Sequence, residues 1–504
     1  MLDDDICYRA FTSRDRRFDG RFVTAVLTTG IYCRPGCPAR RPARRNVRFF
    51  ACPAAAESAG FRPCLRCRPE TAPGSPAWSG TSATVARALR LIDSGALDAS
   101  GVEGLAARLG VTGRWLRRLF VGQLGAAPLA VARTRRVHFA RRLLDETGLS
   151  VADVALASGF GSARRLHDAI RATFRRAPRE LRRGFADGGR AARARDASAA
   201  PRPDLQGEAL ELRLPARRPF DAAPLLRFFA ARALPGVEEV AEDVYRRGVR
   251  LGDESGVVEI RSVPGEAGVR VRWPTSSSRS LLALTSHAGR LFDLEADVAT
   301  IRAHLRCDPV LAPAIPPAGI RVPGAWDPFE LGVRALLGQQ VSVGAARTLA
   351  GRLVRLCGTP LPGGPRGTLT HLFPAPAAVA GADLGRVGLT HARAAALRVF
   401  AAAVARGELD LTAAASLDEQ VARLTALPGI GEWTAHYVAM RALGDPDAFP
   451  AGDLGLRRAL ARGGRLPTPR EVAARAERWR PWRAYAVIAL WTKDASGPTR
   501  RRRR

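Results

Sequence analysis

Lysine is almost absent from this chain of 504 residues, because Lys493 is its only lysine. Chemistry that needs a lysine amine, such as a Schiff base, therefore has a single candidate residue. Long apolar runs are also absent, since no stretch of about 18 uninterrupted apolar residues exists, and this excludes an ordinary membrane span. The chain begins with MLDDD, which is acidic where a secretory signal needs positive charge. These absences predict a cytoplasmic protein without a membrane partner.

Positive charge is what the chain has in excess. Its formal net charge is +32 and its pI is near 11.5, with the stronger bias in the first 200 residues. Nucleic acid is the expected partner, because neutralising phosphates releases condensed counterions. A solvated surface in an arginine-rich proteome is the alternative explanation of the charge. The length allows three or four folded domains, so we expect a multidomain protein associated with the nucleoid.

Six of the eight cysteines precede residue 68, and four of them form two close pairs. Cys33 and Cys37 are spaced C-x3-C, and Cys64 and Cys67 are spaced C-x2-C. Thiols stay reduced in a cytoplasm, where such clusters bind metal more often than they form disulfides. Each pair can supply one edge of a tetrahedron, which predicts one zinc ion with four cysteine ligands. The spacing alone favours a purely structural zinc site.

The residues around these cysteines point to chemistry as well. The segments TTGIYCRPGC (28–37) and FRPCLRC (61–67) resemble the N-terminal domain of the Ada family, and the resemblance extends from about residue 21 to 69. It implies that Cys33 is both a zinc ligand and the acceptor of a methyl group from a methylphosphotriester in DNA. A zinc-bound thiolate is a nucleophile, and the neutral triester does not repel it. Methylation removes one negative charge, which we expect to tighten DNA binding and so to signal damage to transcription.

The same resemblance implies DNA contacts by Thr29, Arg40 and Arg62. Pro38 stands where the family has a further basic residue, so that contact is missing here. Of the six cysteines before residue 68, the two outside the pairs are expected to be packing residues: Cys7 and Cys52.

Two helix-turn-helix patterns follow, near 105–122 and near 150–176, with a helix near 128–146 between them. In the second helix of the first motif, the pattern directs four residues inward: Trp115, Leu116, Leu119 and Phe120. Two such motifs after this cysteine cluster resemble the paired helix-turn-helix domain of AraC-type regulators. We expect Arg114, Arg164 and Arg165 to contact DNA.

No Pro-Cys-His-Arg motif occurs, so repair of O6-alkylguanine is not expected.

The strongest motif of the second half is LPGIGEWTA (427–435), followed by FPAGDLGLR (449–457). A Pro-Gly-x-Gly hairpin between helices presents backbone N–H groups to a phosphate, which makes Gly429 and Gly431 candidate DNA contacts. These motifs resemble the helix-hairpin-helix glycosylases, and AlkA among them. Further segments carry the same resemblance: 227–233, 332–343 and 482–486.

The glycosylase resemblance implies that Asp453 is catalytic. Cleavage of an N-glycosidic bond builds positive charge on the sugar, which a carboxylate stabilises. Aromatic rings would attract a cationic flipped base by about 0.5–2 kcal/mol per contact. The family's base pocket corresponds to four residues: Phe228, Trp433, Tyr437 and Trp491.

Three departures refine this prediction. Related enzymes that also cut the strand have a lysine where Trp433 stands, so we expect a monofunctional enzyme that leaves an abasic site. The four cysteines of an iron–sulfur cluster are missing after the hairpin. Gln340 occupies the wedge position, where AlkA-like proteins often have leucine, and is expected to fill the gap left by the flipped base.

The predicted fold class is multidomain α+β, and its parts in chain order are a zinc methyl-acceptor domain (1–78), a paired helix-turn-helix domain (79–185), a linker (186–205), a mixed α/β subdomain (206–300), an all-α helix-hairpin-helix domain (301–495) and a basic tail (496–504). The predicted function is an alkylation-damage response: single-turnover methyl transfer, transcriptional activation, and excision of 3-methyladenine and 7-methylguanine. The expected partners are double-stranded, methylated and promoter DNA and RNA polymerase, with the chain as a monomer. One alternative is a damage-sensing transcription factor with an inactive glycosylase half. The other is a glycosylase that is recruited to DNA through a structural zinc domain.

Overall fold

A computed structural model describes residues 3–15, 18–67, 69, 83–93, 95–182, 209–274, 280–411, 416–461, 463 and 465–496. The predicted linker (186–205) and the tail beyond residue 496 lie outside these residues. The chain divides into two compact units. The first comprises Met1–Ala216 and Arg250–His287, and the second comprises Arg217–Val249 and Ala288–Arg504.

The first unit contains a small N-terminal sheet, a series of helices and further strands. Its strands are β1 (Val23–Val26), β2 (Ile31–Cys33), β3 (Val47–Phe50), β4 (Arg62–Pro63), β5 (Ala209–Pro215), β8 (Glu254–Ser262) and β9 (Gly268–Pro274), and β7 (Val244–Leu251) runs through the division between the units. Its helices are α1 (Asp4–Thr12), α2 (Pro53–Ser58), α3 (Ala83–Asp93), α4 (Ala96–Arg108), α5 (Gly113–Leu124), α6 (Pro128–Glu146), α7 (Val151–Ala157), α8 (Ala163–Phe174) and α9 (Pro178–Leu181).

The N-terminal sheet has the strand order β3-β1-β2-β4. β1 is antiparallel to both β2 and β3, whereas β2 and β4 are parallel. Alternation along β3 places Val47 and Phe49 on one face, where they pack with Phe22 and with Phe11 of α1. This apolar cluster fixes α1 against the sheet.

Helices α4 to α8 form the two predicted helix-turn-helix motifs, and the predicted joining helix is α6, Pro128–Glu146. Thr112 caps α5 by accepting the backbone N–H of Trp115 at 3.3 Å, as such residues do at helix N-termini. Leu116 and Phe120 are buried as predicted, but the prediction for Trp115 was wrong because its side chain is 39% exposed. The buried stripe of α5 runs through positions 116, 120 and 124, and Trp115 lies beside it.

The last strands of the first unit are antiparallel. β5 pairs with β9, and β9 pairs with β8. Alternate side chains of β9 are buried, namely those of Val269, Val271 and Trp273. These residues form one face of a half-buried strand.

The second unit is mainly helical. Its helices are α10 (Ala223–Arg232), α12 (Val298–Leu305), α13 (Pro328–Leu337), α14 (Val343–Cys357), α15 (Pro376–Gly381), α16 (His391–Ala405), α17 (Leu417–Thr425), α18 (Glu432–Arg441), α19 (Leu454–Ala459), α20 (Pro469–Ala476) and α21 (Arg483–Ser496), and α11 (Leu281–Leu291) runs through the division. Its strands are β6 (Glu238–Ala241), paired with β7, and the short pair β10 (Thr359–Pro360) and β11 (His371–Leu372). Among the described residues, no helix is long and apolar enough to cross a membrane. The mixture of helices and sheets confirms the predicted α+β class.

Close packing of helices positions the hairpin motif in this unit. The Phe329 ring on α13 stacks on the Phe400 ring of α16 at 5.6 Å. A Cβ atom at Gly332 would lie 2.4 Å from the Phe400 ring, so this glycine permits the two helices to approach. α18 packs on the same α13, which connects the hairpin to the core.

A buried network of charges joins β7 to α13. Arg247 is 2% exposed and binds Glu330 at 2.6 Å and Glu238 at 3.3 Å. Arg334 binds the same two carboxylates at 3.0 and 2.8 Å. Two cations thus face two anions, and every one of the four groups depends on the others because an unpaired buried charge is costly.

We expect Arg247→Met to lower the free energy of unfolding by about 3–5 kcal/mol, because it leaves two buried carboxylates sharing one cation. Chemical denaturation measures the change. Arg406→Met, which removes an exposed partner of Glu408, is the control and should leave stability unchanged. An equal effect of both substitutions would contradict the importance of the buried network.

Candidate functional sites

Four buried cysteine sulfur atoms meet where β2 and β4 end. Cys33 is the last residue of β2, and Cys64 directly follows β4. Cys37 and Cys67 follow them within four residues, and all four sulfur atoms lie within 4.8 Å of one another. A tetrahedral site with Zn–S bonds of about 2.3 Å needs sulfur–sulfur distances of about 3.8 Å. The four cysteines therefore fit one zinc ion.

The parallel pairing of β2 and β4 brings the two cysteine pairs together. Tyr32 lies opposite Pro63, and the backbone N–H of Cys64 donates to the carbonyl oxygen of Tyr32 at 2.9 Å. A hydrogen bond with Cys37 raises the pKa of Cys33, whereas a hydrogen bond with Cys33 lowers the pKa of Cys64. Thiols this close share their protons, and a divalent cation allows all four to ionise.

The turn between the first two ligands is held by a buried aspartate, Asp19. One of its carboxylate oxygens accepts the backbone N–H of Gly36 at 2.8 Å, and the other pairs with Arg34 at 3.3 Å. Asp19 fixes the geometry of the turn through both contacts. Sequence reasoning missed it, because no spacing rule links an aspartate to a turn 17 residues away.

The predicted DNA contacts of this domain lie on neighbouring segments. Thr29 is exposed in the turn between β1 and β2, and Arg40 is exposed just beyond the second ligand. Arg62 is half-buried on β4, opposite Ile31 of β2. Their contact with DNA stays a prediction.

The other two cysteines of this domain, Cys7 and Cys52, pack against apolar neighbours. Cys7 is fully buried beside Phe11 and Phe22, and burial raises the pKa of its thiol to about 11. Cys52 donates its S–H to the carbonyl oxygen of Leu124 at 3.4 Å. Neither thiol lies in the metal cluster.

The predicted helix-turn-helix contacts lie at the first turn of the second helix of each motif. Arg114 is exposed on α5, and Arg164 and Arg165 are exposed on α8. The N-terminal residues of such helices are the ones that reach base edges in the major groove. The structure leaves these side chains accessible, and their role stays a prediction.

The hairpin in the second unit links α17 to α18. Gly429 has a φ angle of +81°, and a Cβ atom there would lie 2.5 Å from the Cβ of Ala396. Both constraints require glycine. Gly431 is the N-cap of α18 and offers no capping side chain. The first N–H groups of α18 are therefore suited to a phosphate oxygen.

Asp453 lies at the N-cap of α19 and is held by three N–H donors. Its Oδ2 accepts the indole N–H of Trp433 at 2.8 Å. Its Oδ1 accepts the indole N–H of Trp491 and the backbone N–H of Leu456, both at 3.0 Å. A carboxylate has about four acceptor positions, so one position on Oδ2 remains for a substrate or a water molecule.

Three of the four residues of the predicted base pocket form an aromatic cluster beside this carboxylate. Trp433 and Tyr437 stack with ring centroids 5.3 Å apart and an interplanar angle of 12°. Tyr437 and Trp491 are tilted at 6.2 Å. The structure therefore brings these three rings to Asp453, and the indole contacts to the carboxylate were not foreseen from the sequence.

Two arginines missed by sequence reasoning border the cluster. The guanidinium carbons of Arg232 and Arg441 lie 3.9 and 4.7 Å from the centre of the Phe228 ring. Arg441 also donates to the Tyr437 hydroxyl at 2.6 Å. Burial raises the pKa of Tyr437, but the two arginines outweigh burial and leave that pKa below its ordinary value. The Phe228 ring thus contacts two guanidinium groups of the protein itself.

Gln340 projects from the loop between α13 and α14. It is exposed and has a φ angle of +55°, which is unusual for a residue with a side chain. The neighbouring Gln339 donates its side-chain N–H to the carbonyl oxygen of Gly429 at 2.9 Å and accepts from Arg393 at 2.7 Å. These contacts connect the loop tip to the hairpin, and the wedge role of Gln340 stays a prediction.

Four family models match consecutive parts of the chain. They are the metal binding domain of Ada (residues 6–70), a helix-turn-helix domain (105–184), the AlkA N-terminal domain (211–327) and the HhH-GPD superfamily base excision DNA repair protein (333–484).

Curated relatives match the chain at the same places. The "Probable bifunctional transcriptional activator/DNA repair enzyme AlkA" of Mycobacterium tuberculosis is 45% identical, over 98% of this chain and 97% of its own length. "DNA-3-methyladenine glycosylase 2" of Escherichia coli is 36% identical, over 56% of this chain and 96% of that protein. The Escherichia coli "Bifunctional transcriptional activator/DNA repair enzyme Ada" is 38% identical, over 32% of this chain and 43% of that protein.

We expect the purified chain to contain one zinc ion per molecule, and Cys64→Ser to lose it, because an alcohol is a poor replacement for a thiolate ligand. Atomic absorption after dialysis measures the metal content. Cys52→Ser lies outside the cluster and should retain the zinc. Full zinc content in the Cys64 variant would contradict the four-cysteine site.

Proposed function

The chain belongs to the family of bifunctional transcriptional activators and DNA repair enzymes, and we propose that it senses methylated DNA through Cys33 and excises alkylated bases through Asp453. The two activities correspond to two separate sites, each within its own compact unit. Membership of the family gives the general activities, transcriptional activation and DNA repair. We propose which residues perform them and on which substrates.

The single observation that supports excision is the position of Asp453, whose carboxylate lies among stacked aromatic rings. A 3-methyladenine or 7-methylguanine base is cationic. When its bond to C1′ breaks, the bonding electron pair stays on the base, which leaves neutral. The sugar becomes an oxocarbenium ion beside the carboxylate, which stabilises the positive charge. A water molecule adds to C1′ and loses a proton to the surrounding solvent, and an abasic site remains.

The fixed N–H donors give Asp453 its orientation before the substrate arrives. Trp433 and Trp491 come from two different helices, α18 and α21, so the orientation of the carboxylate depends on both helices. Preorganised groups of this kind do not have to reorient during the reaction. The free acceptor position on Oδ2 is the one we assign to the sugar or to the attacking water.

We do not expect the protein to cut the DNA strand. A Schiff base with the sugar needs an amine beside Asp453, and that place is occupied by the indole of Trp433. Lys493 is exposed on α21. We therefore propose a monofunctional glycosylase, with Gln340 filling the gap left by the flipped base.

We expect Asp453→Asn to reduce the release of 3-methyladenine from methylated duplex DNA by about 100-fold or more, since removing one electrostatic stabiliser commonly has that effect. Chromatography of the released bases measures the rate, and gel electrophoresis should show no strand cutting. Asp383→Asn, which also alters a capping aspartate in this unit, is the matched control. No release by the wild-type chain would favour a damage-sensing transcription factor with an inactive glycosylase half.

Methyl transfer to Cys33 is the second part of the proposal. The thiolate sulfur forms a bond to the methyl carbon while the bond from that carbon to the phosphate oxygen breaks. The electron pair of the broken bond stays on the oxygen, which restores an ordinary phosphodiester anion. Zinc, when bound, keeps the sulfur deprotonated near neutral pH. The product is a thioether, so each molecule reacts once.

DNA binding by the helix-turn-helix pair completes the function. Exposed Arg114, Arg164 and Arg165 support a promoter-binding role, in which the methylated chain acts as an activator with RNA polymerase as its partner. We further propose that the chain acts as a monomer in the cytoplasm, on the chromosome.

We expect incubation with methylphosphotriester DNA to place one methyl group on Cys33, because that thiolate is the proposed acceptor. Peptide mass spectrometry locates the group. Cys33→Ser should accept none, whereas Cys52→Ser should react as the wild type does. A methyl group on another cysteine of the wild-type chain would remove Cys33 from this role and favour a structural zinc domain.

A further inference from the structure

A buried carboxylate, Glu57, joins the zinc domain (residues 3–69) to the helix-turn-helix domain (residues 83–182). Glu57 lies on α2, and its side chain is 16% exposed. Its Oε2 accepts the hydroxyl of Thr134 at 2.6 Å, and its Oε1 lies 2.8 Å from Nε2 of His138. Both of these partners lie on α6, in the other domain.

The fourth member of this Glu57 cluster is Tyr32. Its hydroxyl donates to Oε1 of Glu57 at 2.9 Å and lies 3.2 Å from Nε2 of His138. Burial alone raises the pKa of Glu57, but His138 and the hydroxyl donors outweigh burial and leave that pKa below its ordinary value. Separation of the two domains would remove two of these three partners, Thr134 and His138, and loss of partners by a buried charge is costly.

Apolar and backbone contacts surround the cluster. Ala54 and Ala55 of α2 pack against Ala126, which precedes α6. The thiol of Cys52 donates to the carbonyl oxygen of Leu124 at 3.4 Å. β4 also contacts α8, the second helix of the second motif. The two domains therefore share a packed interface with one buried polar cluster in it.

Tyr32 connects this interface to the methyl acceptor. It directly precedes Cys33 on β2, and its carbonyl oxygen accepts the N–H of Cys64. Tyr32 thus binds Glu57 with its side chain and binds Cys64, in the second cysteine pair, with its backbone. β2 is therefore linked to α6 directly, by the contact of Tyr32 with His138, and also through Glu57.

We propose that Glu57 is a positioning residue that fixes the zinc domain on α6, so that methylation of Cys33 strengthens promoter binding by the zinc and helix-turn-helix domains as one rigid body. This inference rests on the proposed role of Cys33 as methyl acceptor. When two DNA-binding surfaces are rigidly joined, a gain in affinity at one surface appears fully in the binding of both. When the joint loosens, the helix-turn-helix domain binds without the gain.

The test compares full-length wild-type and Glu57→Gln chains before and after reaction with methylphosphotriester DNA. Fluorescence anisotropy on one promoter duplex, at one fixed salt concentration, gives two dissociation constants per chain. The ratio of unmethylated to methylated constants is the readout. Loss of a purely structural contact would weaken both forms equally and leave this ratio unchanged.

We expect Glu57→Gln to keep its zinc and its methyl transfer to Cys33, while the ratio falls by about fivefold or more, the size of a typical coupling between sites. Glu211→Gln, which removes an exposed partner of Arg270 in the same unit, should retain the wild-type ratio. An unchanged ratio in a folded, zinc-loaded Glu57 variant would overturn the inference and leave the proposed function intact.

If Glu57→Gln fails to fold or loses zinc, Thr134→Val decides the question. This variant deletes one hydroxyl that donates to Glu57 and keeps the shape of the side chain. A reduced ratio supports the inference, and a wild-type ratio overturns it. If the wild-type chain accepts no methyl group on Cys33, the proposed function fails, and the inference that rests on it fails too.

Discussion

The Asp453 carboxylate is held by hydrogen bonds from two tryptophan indoles and one backbone amide. This interaction constrains the second unit, because its donors come from α18, α19 and α21, three helices that must keep their mutual positions. α18 in turn needs the glycines of the hairpin, one of which has a positive φ angle and no room for a Cβ atom. α18 packs on α13, and α13 is held in place by the apolar core and by the buried ion pair of Arg247 with Glu330. The position of a single carboxylate thus depends on packing throughout the unit.

The first unit must also hold charged groups in place, but it does so with a metal ion. Four thiols must stand close together and carry negative charge, and a metal ion provides the compensating positive charge. The turn that presents two of the thiols is braced by Asp19, and the parallel strands β2 and β4 bring the pairs together. Glu57 connects this domain to the helix-turn-helix domain, because it binds both Tyr32 on β2 and His138 on α6. In both units the proposed functional groups thus lie beside short elements that hydrogen bonds hold in place.

The zinc ligands, the hairpin glycines and α6 could be predicted from the sequence, because each depends on spacing within a short segment. The bounds of α6 follow from proline at its start and from the apolar period. The outward direction of Trp115 could not be predicted, since a helical pattern does not say which edge of an apolar stripe stays exposed.

The contacts of Trp433 and Trp491 with Asp453, the cations beside Phe228 and the Glu57 cluster all join residues far apart in the chain. They depend on how helices pack, which no local pattern records. The family resemblance identified Trp433, Trp491 and Phe228, but it did not indicate which groups their side chains contact.

The measurement that tests the account most directly is base release by Trp433→Phe and Trp491→Phe, each of which keeps an aromatic ring and removes one N–H donor to Asp453. Single-turnover rates on 3-methyladenine DNA should fall by about 10- to 100-fold, the worth of a hydrogen bond to a charged group of about 1.5–3 kcal/mol, while the melting temperature changes little. Wild-type rates in both folded variants would show that the rings matter for stacking alone, and would contradict the claim that the indoles hold the carboxylate in place.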